Sequence, residues 1–162
     1  MKRVLLIATL ALLAACNSEK ANTAEEAVAV SAAEQTTNPV ISSYMDMKDA
    51  LVASDAEAAR ESAEALLTAA MDEKLSSECI TAIQELQSSE DLEAIRAAFY
   101  PLSQQIYTWV KNSDENSEKL YWQHCPMAMD NEGANWLSME SEILNPYFGD
   151  QMLHCGRIAE EL

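Results

Sequence analysis

The chain has 162 residues, a formal charge of −17, and apolar residues making up 49% of the total, of which few are aromatic. So large an acidic excess argues against a nucleic-acid partner and against electrostatic attraction to anionic lipid headgroups. The length allows one folded domain of roughly 120 residues with its own hydrophobic core.

Lys2 and Arg3 open the chain, an apolar run follows from Val4 to Leu12, and Leu13-Ala14-Ala15-Cys16 closes it. Charged, apolar and small-residue regions in this order read as a secretory signal over residues 1–15, too short to span a bilayer comfortably. An uncleaved membrane anchor is the plainer alternative. The closing segment resembles the lipobox of bacterial lipoproteins, which implies that Cys16 receives the lipid and becomes the mature N-terminus. Asn17 stands where Asp would signal inner-membrane retention, so the resemblance points to the periplasmic side of the outer membrane. Losing Lys2 and Arg3 takes the formal charge to −19. Attachment is therefore expected through acyl chains, with the acidic body held away from the headgroups. Residues 16–38 are Ala, Glu, Ser and Thr with few large apolar side chains, the composition of a flexible tether.

The body, residues 39–162, starts at Asn38-Pro39, an N-cap followed by proline at the first helical position. Val40, Tyr44, Met47 and Leu51 then recur at spacings of three and four, which predicts a helix. Ser54 and Glu57 form a capping box for a second helix, with a stripe of Ala59, Ala63, Leu66, Leu67, Ala70 and Met71. A third places Cys79, Ile83 and Leu86 on one face. The fourth starts at Ser88/Asp91 and carries Leu92, Ile95, Phe99, Leu102, Ile106 and Trp109, with a kink expected at Pro101. Short connections predict an antiparallel up-and-down bundle of about four helices over residues 39–112.

Beyond the polar linker 112–118 the composition changes: all three glycines, both histidines and four of the eight methionines fall in residues 119–162. Lys119–Cys125 and Ala134–Ser138 read as a β-hairpin around Asp130–Gly133. A short helix is expected over Ser138–Leu144, before a turn at Asn145–Gly149. The fold class is thus mainly α, with a small C-terminal β-hairpin and loop-rich unit.

Cys125-Pro126-Met127-Ala128-Met129 and Met152-Leu153-His154-Cys155 are two clusters of soft sulfur donors. Thiolates and thioethers favour Cu(I) and similar ions, and a thioether binds without losing a proton. In extended chain Cys125, Met127 and Met129 would share a face. In the second cluster a helix would align Met152 with Cys155, and a strand Met152 with His154. Each residue also has a plainer use. Three cysteines besides Cys16 allow at most one intramolecular disulfide. A Cys125–Cys155 bond would brace the unit by roughly 3 to 4 kcal/mol in the chain-entropy picture. The methionines could be core filler, and Cys79, on an apolar stripe, reads as a small buried hydrophobe. His124 and His154 each neighbour a cysteine, but adjacent strand residues face opposite ways, so neither pair is a ready nucleophile dyad. Trp122, Trp136, Tyr147 and Phe148 could line a groove, with packing against the bundle as their default use.

Cys125-Pro-Met-Ala, Gly133-Ala-Asn-Trp-Leu-Ser138, Ile143-Leu-Asn-Pro-Tyr-Phe-Gly-Asp150 and Met152-Leu-His-Cys-Gly156 together resemble the DUF3347 family. Arg96-Ala-Ala-Phe-Tyr-Pro-Leu-Ser103 and the start of the second helix also fit its pattern. The resemblance begins near Ile41, is weak through the helices and most specific over the last forty or so residues. It implies standalone exported proteins, or the C-terminal part of periplasmic adaptor subunits of heavy-metal efflux pumps related to copper and silver exporters. No catalytic residue comes with it.

The expectation is a non-enzymatic, lipid-anchored periplasmic protein that binds Cu(I) or a similar soft ion through Cys125, Met127, Met152 and Cys155. Met129, His124 and His154 are second-rank donors, and a heavy-metal efflux component is the expected partner. The alternative is a metal-free interaction module braced by a Cys125–Cys155 disulfide.

Overall fold

The computed structural model describes residues 37–113 and 118–162, so the leader, Cys16 and nearly all of the tether lie outside the described residues. Helix α1 (Pro39–Val52) begins as expected: Asn38 Oδ1 accepts from Val40 N at 2.8 Å, with Pro39 in the first turn. Val40, Tyr44, Met47 and Leu51 are all fully buried. Helix α2 (Ala56–Asp72) is capped by Asp55, whose Oδ1 accepts from Ala58 N at 3.0 Å, one residue later than the expected Ser54. The reason is tertiary. Ser54 Oγ already accepts from Arg96 Nη2 at 3.0 Å, and Ser54 sits in the left-handed region at φ 59°.

Helix α3 (Ser77–Ser88) is capped by Ser76, and helix α4 (Leu92–Asn112) by Asp91 alone. Ser88 ends α3 instead of starting α4, its hydroxyl donating to Glu85 O at 2.9 Å. The α4 helix continues through Pro101, where Ala97 and Pro101 are both exposed, so the carbonyl deprived of its amide partner can reach water. Each helix packs chiefly on its sequence neighbours, the pattern of an up-and-down bundle. The predicted stripes are buried, apart from Leu67, Leu92 and Trp109, which are half-buried against the core, and Met71, which is 63% exposed at the end of α2.

The hairpin is present as β1 (Tyr121–Cys125) and β2 (Ala134–Ser138), paired antiparallel with Trp122 opposite Leu137 and His124 opposite Asn135. A third strand, β3 (Arg157–Glu161), was not expected. It pairs antiparallel with β1 on the other side, giving the order β2-β1-β3 with an irregularity at Trp122/Gln123. The helix expected over Ser138–Leu144 is absent. Gln123 Nε2, on β1, donates to the carbonyls of Glu140 and Glu142 at 2.8 and 3.0 Å, so these carbonyls are held by a strand side chain. Instead, Gly149–Gln151 forms a single 3-10 turn.

Aromatic contacts join the sheet to the bundle. Tyr44 stacks on Phe99 at 5.3 Å between ring centroids, Phe99 meets Tyr147 at 5.8 Å, and Tyr147 meets Trp136 edge-on at 6.0 Å. The Tyr44 hydroxyl is 2.7 Å from Ser103 Oγ and accepts from Leu137 N at 3.2 Å. Burial holds its proton well above the ordinary phenol range. With 0% exposure for Trp136 and 3% for Tyr147, these rings are core.

Candidate soft-donor site in the C-terminal unit

The two sulfur-bearing segments meet, by different means. Cys125 is the last residue of β1, fully buried. Cys155 follows a turn in which its amide donates to Met152 O at 3.0 Å, so neither the helical nor the extended spacing applies there. Asn145 fixes it: its Nδ2 donates to Cys155 O at 2.8 Å while its Oδ1 accepts from Tyr147 N at 2.9 Å. The result is a Cys125 Sγ to Cys155 Sγ distance of 3.2 Å, between residues 30 apart in sequence. The hydrogen bond with Cys125, helped by partial burial, raises the Cys155 thiol above its ordinary pKa.

A disulfide needs about 2.05 Å between sulfurs, whereas two thiolates on one tetrahedral metal with bonds near 2.3 Å stand roughly 3.8 Å apart. The pair therefore lies between the two arrangements. It must close by more than an ångström for a disulfide, or open by about half an ångström for an ion.

The methionines lie at a neighbouring feature. Because β1 ends at Cys125, Met127 and Met129 are in the connection and not on a strand face. They line an open cleft of about 450 Å³ together with Met152, Phe148, Arg96 and Asp130. Neither cysteine is among its lining residues. The expected four-residue set is thus divided: the thiols are in contact, while Met127 and Met152 line the cleft along with Met129.

His124 and His154 are held elsewhere. His124 Nδ1 is 3.2 Å from Asn135 Oδ1, and a Cβ on Gly133 would stand 2.8 Å from the His124 ring, so the glycine makes room for it. His154 Nδ1 is 2.9 Å from Ile143 O on the surface. Among the described residues, no three His, Cys, Asp or Glu side chains gather as a metal-binding group. Cys79 is 1% exposed in the bundle, and burial pushes its thiol up to about 11.

Two features of the cleft were missed from sequence. Met129, Asp130 and Asn131 are three consecutive non-glycine residues at φ 51°, 55° and 71°, a run of left-handed backbone that turns the loop along the cleft. Asp130-Asn131 carried the signal, since these residue types tolerate that region best. The other is Arg96, 3% exposed, which donates through Nε to Pro146 O at 3.0 Å and pairs through Nη1 with Glu93 at 2.8 Å. An arginine in a helical stripe gives no such warning.

The model of DUF3347, a protein family of unknown function, matches residues 40–118. Residues 40–118 belong to the DUF3347 family. The matched span is the four-helix part, and the motifs between Cys125 and Gly156 lie beyond it. No curated protein and no solved structure matches the chain.

Proposed function

We propose that this DUF3347 protein is a lipid-anchored envelope protein that binds a soft metal ion such as Cu(I) in its C-terminal unit, in connection with metal efflux or handling. The observation that carries the reading is the gathering of its sulfur donors into two sets within one unit. Cys125 and Cys155 meet at 3.2 Å, and Met127 and Met152 line one cleft in the same unit. Soft donors select soft ions, and the acidic chain favours a cation. The address rests on the leader and the Leu-Ala-Ala-Cys16 segment. No helix among the described residues is long and apolar enough to cross a membrane.

The 3.2 Å thiol contact also favours a second reading, in which a Cys125–Cys155 disulfide braces a metal-free interaction module. Anaerobic titration of the full-length protein with Cu(I) against a chromophoric chelator separates them. The metal reading expects about one equivalent to be retained against the chelator. No competition with the chelator, together with a disulfide that resists mild reductant, would leave the brace.

A further inference from the structure

We infer that the cleft is itself a thioether site for a soft monovalent cation, formed by Met127, Met129 and Met152, and that it works without the Cys125–Cys155 thiols. The inference rests on the soft-metal reading above and narrows it to one set of donors.

Three methionines from two separate segments line the same cleft. Methionine on a core stripe would be buried, yet Met127 is 47% exposed and Met129 and Met152 are half-buried at the surface. The flexible side chains can swing onto an ion. Asp130 and Asn131 tolerate positive φ, but Met129 does so at a cost on the order of 1 kcal/mol, and such conformations persist where the surroundings over-determine them.

The charges suit a monocation. Arg96 and Glu93 neutralise each other at 2.8 Å, and Asp130 remains as the surplus charge of the lining. The buried guanidinium is anchored to Pro146 O, Leu51 O and Ser54 Oγ, so it cannot readily swing out to meet an anion. Thiolate ligands would have to lose protons to bind, and a bond between Cys125 and Cys155 would withdraw both from the ion. Thioethers carry no such requirement, and no disulfide removes them.

The test compares three full-length proteins titrated anaerobically with Cu(I) against a chromophoric chelator at pH 5.5 to 8: the unaltered chain, C125S/C155S, and M127L/M129L/M152L. Leucine conserves volume, and near-UV circular dichroism checks that each variant folds. The expected result is that C125S/C155S binds within about threefold of the unaltered chain, while the leucine variant loses at least tenfold, on the order of 1.4 kcal/mol. Affinity should be nearly flat with pH, and the methyl resonances of the three methionines should shift on titration. Binding that survives in the leucine variant but disappears in C125S/C155S, with affinity falling as pH drops, overturns this inference and leaves the wider reading on the thiolates. Absence of binding by the unaltered chain overturns both.

Discussion

Arg96 shows how one side chain can tie the two halves of the body together. Its guanidinium lies between the end of α1, the first residue of the α2 approach and the Asn145–Gly149 turn, donating to Leu51 O, Ser54 Oγ and Pro146 O. Pro146 is buried, so its carbonyl has no substitute donor if Arg96 is removed, and truncation also leaves a void. Leu51 O keeps its bond from Ser54 N, and exposed Ser54 can reach water. Each buried acceptor left unpaired costs about 1 to 3 kcal/mol. Arg96→Ala should therefore lower the unfolding free energy by about 2 to 4 kcal/mol in urea titration. Arg96→Lys should recover little, because an ammonium is a point charge and cannot reproduce the guanidinium fork. Full rescue by lysine would mean that charge alone matters at this position.

At the scale of elements, Gly149 is where the C-terminal unit meets the corner between α1 and α2. A Cβ there would stand 2.5 Å from Ser54 Oγ and 2.9 Å from Val52 O, and the residue has φ 54°. Gly149→Ala should cost about 2 to 4 kcal/mol by the same unfolding measurement, from left-handed strain and overpacking together. Gly133→Ala makes a useful comparison, since the atom it meets belongs to the movable ring of His124. The helices could be read from sequence because their signals are local: a capping side chain, then apolar residues every third or fourth position. What failed was non-local. Ser54 looked like a cap until Arg96 occupied it, and Ser138–Leu144 looked helical until Gln123 took its carbonyls. Strand β3, Arg157-Ile-Ala-Glu-Glu161, shows little apolar character of its own and is defined by its partner β1. The sulfur donors were legible as residue types. Their division into a thiol pair and a thioether cleft depends on Asn145 and on the left-handed loop, which no spacing rule contains.

For the whole molecule, the formal charge of −17 sets self-repulsion against a few specific pairs. Lys111 meets Glu160 at 2.6 Å and Lys119 meets Glu161 at 3.0 Å, both on β3 and all well exposed. Exposed pairs of this kind contribute at most about 1 kcal/mol each, and salt weakens them. Diffuse repulsion among the excess carboxylates is weakened by the same salt. Repulsion involves many more charges, so the thermal midpoint should rise as ionic strength increases from roughly 0.01 to 0.15 M, where the Debye length shortens from about 30 to 8 Å. A midpoint that falls would show that the β3 pairs outweigh the net charge.

The position of Cys79 bears on how the chain can mature. The bundle that encloses it is complete by Asn112, before either Cys125 or Cys155 has appeared in an N-to-C order of emergence. Any route that delivers the chain from its N-terminus, whether a ribosome or a membrane channel, can thus hide one thiol before its two possible wrong partners arrive. Cys125 then waits for Cys155, 30 residues later, with no accessible competitor among the described cysteines. Were the disulfide of the second reading to form, Cys79 would already be hidden from both of its partners.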